Sequence, residues 1–425
     1  MAGLLQEKEL LGDDVPWLVA LREKGRKAFE KQGVPSARTE DWKYTKPRDL
    51  NADDFVLNDS SAPEHHKECC CGEHECSCQK AQLPFEAYVI SFENGIYCHQ
   101  HSSFPRGVRV LPLIEALEDE VCHKNLGHLL DMQRHPFAAL NTNYLEQGCF
   151  INIEKGICLD KPLVIFNHTS SENKNLFFNL RNLIVLEKNS SAEIIEYFSY
   201  SGAEKSRYFA NSVNEIFVGR NAILKHYKFQ NEAYKANHVA LSVAQVKEGG
   251  QYKNFCLQRG ANIGRNEVLV KLLENKAQAE VHAAYKMSGW ATLDTTTQIE
   301  HLSEETVSDQ LVKGVVDGEA KGVFQGKIHI APHAIKTEGH QLHRALLLSD
   351  TAEVDCKPEL EIYADDTKCS HGAATGELDE EQLFYMQSRG IDRDEARRIL
   401  VEAFLDDVFL KIDSEEIRAW FKSMV

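Results

Sequence analysis

Cys369 and His371 stand two residues apart, just after Asp365 and Asp366, in the run Glu359-Leu360-Glu361-Ile362-Tyr363-Ala364-Asp365-Asp366-Thr367-Lys368-Cys369-Ser370-His371-Gly372. Residues i and i+2 of a strand share a face, so the thiol and the imidazole point the same way. A soft thiolate beside an imidazole suits zinc, copper or the iron of an iron–sulfur centre. The two aspartates offer hard oxygen donors or a solvated turn. The same residues also fit a plain strand end with a small side chain and a satisfied histidine, and spacing alone leaves both readings open. A denser collection lies at residues 65–78, where His65, His66, Cys69, Cys70, Cys71, His74, Cys76 and Cys78 crowd together. Such segments can wrap soft metal ions. The spacing matches neither paired Cys-x₂-Cys units nor a finger, so metal or persulfide handling stands beside a solvated insert of no function.

The elements that must position these residues change character along the chain. The first part, residues 1–147, reads as mixed and largely helical. Pro16 suits a first helical turn, Trp17, Leu18, Leu21, Ala28 and Phe29 follow it, and Gly33 closes the segment. Residues 51–82 lose periodicity and read as a flexible insert. A strand pair (Tyr88-Val89-Ile90 and Gly95-Ile96-Tyr97) and a helix around Leu126 to Leu145 complete this part.

From Gly148 to residue 375, short β-branched runs alternate with turn formers at Asn189, Gly219 to Asn221, Gly249-Gly250, Asn275, Gly318, His333, Asp350 and Asp366. Near-regular corners suggest a stacked β-solenoid in which each coil buries its face on the next. A β-sandwich also accommodates the strands, whereas the lack of alternating long helices disfavours a Rossmann-type fold. Residues 376–425 turn helical. Asp379 opens one helix, Ala396, Ile399, Leu400, Ala403 and Phe404 recur at helical spacing in a second, and Ser414 opens a third. Leu405, Val408 and Phe409 widen the apolar face of the second helix, which suits packing on the β-core or a partner groove.

Bulk properties narrow the function. With 48 basic against 65 acidic residues the net charge is −17, which excludes the basic footprint of sequence-independent nucleic-acid binding. No run approaches the roughly 20 apolar residues of a membrane span, and no signal-peptide pattern is visible at Met1-Ala2-Gly3-Leu4-Leu5-Gln6-Glu7-Lys8. Twelve cysteines in a long chain of this kind point to reduced thiols or metal ligation, and the expectation is a cytoplasmic protein.

The run from Gly322 to Gly390 resembles the SufD branch of the SufB/SufD family, scaffold subunits of the Suf iron–sulfur cluster assembly machinery. The resemblance rests on Val323-Phe324-Gln325-Gly326-Lys327-Ile328, Ala331-Pro332-His333-Ala334-Ile335-Lys336-Thr337, Glu353-Val354-Asp355-Cys356-Lys357-Pro358 with the stretch that follows it, and Asp379-Glu380-Glu381-Gln382-Leu383-Phe384-Tyr385. Pro35 to Thr45 and Leu140-Asn141-Thr142 are also similar to that family. The segment Asp350 to Asp355 holds no cysteine where a SufB-type paralogue would place its assembly cysteine, and Cys356 occupies a different position of the motif.

The resemblance implies a mainly β protein, a right-handed parallel β-helix core flanked by an N-terminal mixed region and a short C-terminal helical domain. It implies a non-catalytic scaffold that pairs with SufB through the β-helix and docks the SufC ABC-type ATPase through C-terminal helices, with Leu383, Phe384, Ile399, Leu400, Phe404 and Val408 as docking candidates. A transient iron–sulfur cluster would form at the SufB interface, with His371 as ligand and Cys369 as its adjunct, fed by a sulfur donor system. No Gly-x-x-x-x-Gly-Lys-[Ser/Thr] loop is present to cradle a nucleotide, and nothing in the sequence speaks for or against a flavin. The 65–78 cluster departs from the family pattern. A stand-alone metal-binding protein and a polysaccharide-acting solenoid are the other classes compatible with the residues.

Overall fold

The computed structural model describes residues 4–36, 38–47, 50, 55–58, 83–100, 103–170, 175–201 and 206–425. The Cys/His-dense stretch 65–78 lies outside them. The centre is a parallel β-helix built from two ten-stranded sheets. Successive strands alternate between the sheets, so each strand pairs with the one a full coil later. Asn237 pairs with Ile263, 26 residues on, and Lys321 with Glu353, 32 residues on. The spacing of 15 to 17 between the last turn formers in the sequence is therefore half a coil, one corner to the next. Corners form where the chain accepts left-handed backbone: Asn189, Asn221 and Asp366 have φ of 59°, 52° and 55°, and Gly249 and Gly318 have 62° and 67°. Asparagine, aspartate and glycine tolerate this region best.

Inside the coils, Ile184, Ile216, Val246 and Leu272 of one sheet meet Ala192, Leu224 and Ala279 of the other in a continuous apolar core. Both outer faces are covered over much of their length, so the strands read as near-continuous buried runs instead of a clean alternation. The first sheet is covered by the N-terminal part, with helices α1 (Pro16–Gln32), α2 (Glu120–Asn125) and α3 (Pro136–Asn143). The helix expected over Leu126 to Leu145 is confined to α3, because Gly127 takes φ 83° and His135 precedes Pro136, a position that disfavours helix. A buried ion pair between Arg181 and Glu215, 2.9 Å, anchors this cover, and Glu215 also accepts from the backbone N–H of Gly127 and Leu129.

The second sheet is covered by the C-terminal helices α5 (Arg393–Phe409) and α6 (Glu415–Ser423), with α4 (Glu380–Ser388) packed on α5. Asp379 and Ser414 cap α4 and α6 through side-chain acceptance of backbone N–H groups, as the sequence predicts. Val408, Phe409, Trp420 and Phe421 pack on Tyr227, Phe229, Phe255 and Leu257 of the sheet. The widened apolar face of α5 thus serves the β-core. Ion pairs from Lys225 and Lys253 to Asp413, and from Lys313 to Asp407, edge the same seam.

The two ends of the solenoid differ. At the first coil, strand Val108–Pro112 pairs antiparallel with Cys149–Ile153, and hairpin strand Tyr88–Glu93 lies on Leu163–Ser170. That hairpin turns at Asn94-Gly95 with φ 53° and 78°, the two-residue geometry that suits strand twist. At the last coil, strands Glu353–Ile362 and Lys368–Glu377 are each paired on one side only among the described residues, so both present an open edge there.

Candidate functional site

The candidate ligands sit on that open end. Among the described residues Lys368–Glu377 pairs only with Glu338–Leu347, in the register Gly339 to Cys369, Gln341 to His371 and His343 to Ala373. Gly339 and His343 line the solenoid interior, and Gln341 lies between them. In-register neighbours share a face, so Cys369 and His371 are on the inward face of the last coil. The outward face carries the alternate residues: Lys368 pairs with Glu338 at 2.7 Å, and Ser370 Oγ meets His340 Nδ1 at 2.8 Å. Asp365 and Asp366 form the corner before the strand, where Asp366 accepts Lys336 N–H through its backbone carbonyl. They are turn residues.

The shared face does not give the pair one environment. Cys369 is half-buried against Ile328, Ile330, Ala331, Ala334, Leu360 and Ala364. Burial pushes its thiol up from the ordinary value, only partly offset by hydrogen bonds from Gly339 and Thr367. At neutral pH it is a protonated thiol that a metal ion must deprotonate to bind. His371 is exposed, because no further coil lies above it. Among the described residues no group of three histidine, cysteine, aspartate or glutamate side chains could hold a metal ion. Cys369 and His371 are thus an incomplete donor set, and Cys356, on the neighbouring edge strand, packs with Tyr285, Phe324 and Ala352 in a separate cluster. Of the described cysteines, Cys122, Cys149, Cys158, Cys256, Cys356 and Cys369 are free thiols.

The residues expected to dock an ATPase separate by exposure. Leu383 and Val408 are buried within the chain, Ile399, Leu400 and Phe404 are half-buried, and Phe384 is 73% exposed. Tyr385 beside it is 59% exposed. The sequence reading left Tyr385 out of the docking expectation, although the aromatic pair Phe384-Tyr385 is visible there.

It also missed a polar spine inside the solenoid. Glu196 meets His226 Nε2 at 3.0 Å, His226 Nδ1 meets Tyr252 Oη at 3.0 Å, and Glu232 meets His238 Nδ1 at 2.9 Å. Burial would raise the Glu196 carboxyl, but His226 and Lys228 overcome it and hold it at about 2. Toward the open end the spine continues through Thr297, Gln310 and Gln341. No helix of the described residues is long and apolar enough to cross a membrane.

Comparison with known proteins gives two family matches that together span most of the chain. Residues 5–165 match the SufBD protein N-terminal region. Residues 167–404 match the SUF system FeS cluster assembly, SufBD core domain. The chain is 28% identical over 390 residues to the iron–sulfur cluster assembly protein SufD of Escherichia coli, covering 91% of this chain and 87% of that protein. It is 26% identical over 438 residues to an iron–sulfur cluster assembly SufBD family protein of Synechocystis, covering 100% of this chain and 94% of that one. SufD of Bacillus subtilis is 26% identical over 298 residues, 69% of this chain and 67% of that protein.

Proposed function

The chain belongs to the SufBD family of iron–sulfur cluster assembly proteins, and on that premise we propose that it is a SufD-type scaffold subunit without turnover of its own. His371 binds iron of a nascent cluster at an interface with a SufB-type subunit, and Cys369 lies beside it as a second ligand or positioning group. The observation that carries this reading is the open last coil. It puts a thiol and an imidazole on an inward face that a second chain can cover, and among the described residues it supplies too few donors to hold metal alone. Neutral imidazole binds iron through one nitrogen, and a mixed thiolate–imidazole shell suits a cluster that is to be passed on. The cluster is cargo here, built from iron and from sulfur that a donor system delivers.

The unpaired edges of Glu353–Ile362 and Lys368–Glu377 are templates for strand addition, which supports a partner of the same β-helix kind. Phe384 and Tyr385 on α4 are the exposed aromatic anchors for a SufC-type ATPase. Nucleotide binding and hydrolysis belong to that partner. Its ATP cycle can open or close the cluster site only if the two interface states differ in contact energy. The free thiols fit a reducing, cytoplasmic setting. The 65–78 segment is a second metal-handling element in this reading. The test is anaerobic reconstitution with SufB and SufC: His371→Ala abolishes the visible cluster spectrum while the three subunits still co-purify. Normal cluster yield from that variant overturns the ligand assignment.

A further inference from the structure

Directly beneath His371 in the ladder, on the same inward face, lies Gln341. It is 2% exposed and its amide is half used. Nε2 donates to the backbone carbonyl of Gly326 at 3.2 Å, whereas the buried Oε1 has no hydrogen-bond partner. An unmatched buried acceptor costs about 1–3 kcal/mol, so its persistence calls for a physical reason. The amide is also held in place. A Cβ on Gly326 would stand 2.5 Å from Gln341 Nε2 and 2.6 Å from the Phe324 ring, so glycine is what lets the amide reach the opposite sheet. One coil further down, Gln310 is in register with Gln341. Its Oε1 accepts from Thr297 Oγ1 at 2.6 Å, and its own Nε2 is unpartnered.

The column Gln310–Gln341–His371 thus ends in a fixed carbonyl oxygen beneath an exposed imidazole that has no hydrogen-bond partner among the described residues. Adjacent strands lie about 4.8 Å apart, which brings same-face side chains within reach of each other. A carbonyl oxygen has two lone pairs, and neither on Gln341 Oε1 is taken, so it can accept from above. An imidazole ligand needs this arrangement: the nitrogen that does not bind metal donates its N–H to a fixed acceptor, which sets the tautomer and the aim of the ring.

We propose that Gln341 is the positioning residue for His371, accepting one ring N–H through Oε1 so that the other ring nitrogen faces the cluster. This rests on the reading of His371 as a ligand. Removing such a partner commonly weakens metal binding by about 10- to 100-fold. The experiment uses the reconstituted complex with ¹⁵N-histidine confined to this subunit and pulsed EPR of the reduced cluster, in which the remote imidazole nitrogen reports its hydrogen bond. Gln341→Met removes the acceptor at similar volume. It is expected to change the remote-nitrogen coupling and lower cluster yield about tenfold or more. Gln341→Glu retains an acceptor oxygen and is expected to restore the coupling. Gly326→Ala, which displaces the amide without touching it chemically, should act as Gln341→Met does. An unchanged coupling in a folded Gln341→Met complex overturns the proposal, including when yield falls, because the residue then acts through packing. Absence of any histidine-nitrogen coupling in the unsubstituted complex defeats the ligand reading itself, a separate outcome.

Discussion

Replacing Arg265 with methionine tests whether buried charge pins the Pro35-to-Thr45 segment onto the first sheet. Arg265 is fully buried, donates to Glu267 at 2.5 Å and pairs with Asp294, and its guanidinium lies 4.3 Å from the Trp42 ring centroid. Thr45 donates to the same Asp294, so the segment and the sheet share one charge cluster. Burial would raise the Glu267 carboxyl from 4.5, but Arg265 and then His135 hold it at about 2. That shift corresponds to about 3 kcal/mol. Breaking a buried pair by removing one partner costs about 3–5 kcal/mol, which agrees, because two carboxylates are left without their cation. A loss of about 4 kcal/mol confined to this segment raises its opening equilibrium roughly a thousandfold. Hydrogen exchange of residues 38–47 at pH 8 measures it.

The sign with pH is fixed. In the native protein the Glu267 carboxyl lies below its unfolded value, so its contribution is complete above about 4.5 and is lost as pH falls toward about 2. In Arg265→Met the Glu267 carboxyl rises above its unfolded value and Asp294, which burial already raises in the native protein, rises further, so protonation relieves them and the deficit narrows at pH 5. An exchange increase below tenfold, or an equal deficit at both pH values, refutes the reasoning.

Four further outcomes follow from the same geometry. His343 and His301 are held neutral by burial, at about 4 and about 3, below their unfolded value of 6.5. The unfolded chain therefore binds more protons below pH 6.5, and each histidine removes about 1.4 kcal/mol of stability per pH unit down to its folded value. Urea titrations from pH 7 to pH 4 should show that slope, and it should be shallower in His343→Gln. Gly314→Ala places a Cβ 1.9 Å from the Tyr285 ring and forces it off His343, with a cost of at least about 1–3 kcal/mol read from the thermal midpoint. Phe384→Ala with Tyr385→Ala leaves the fold intact and weakens capture of the SufC ATPase by at least about tenfold in titration calorimetry, about 1.4 kcal/mol or more. Deleting residues 65–78 leaves the β-core signal in circular dichroism unchanged and lowers bound metal in the purified chain; unchanged metal content and cluster yield remove that segment from the mechanism.

What could be read in the sequence was local. Asn189, Asn221, Gly249 and Asp366 mark corners because a left-handed residue is a property of one position, and Asp379 and Ser414 mark helix starts because a cap needs only its own side chain. Cys369 and His371 share a face by the period of two. What escaped the reading depends on register across about 30 residues. Corner spacing gave half the coil, since both sheets turn in similar ways, and nothing in Leu224-Lys225-His226-Tyr227-Lys228 tells interior from exterior when both faces are buried. Gln341 is legible as a polar residue of a strand, but its meaning comes from Gly326 across the core and His371 one coil above.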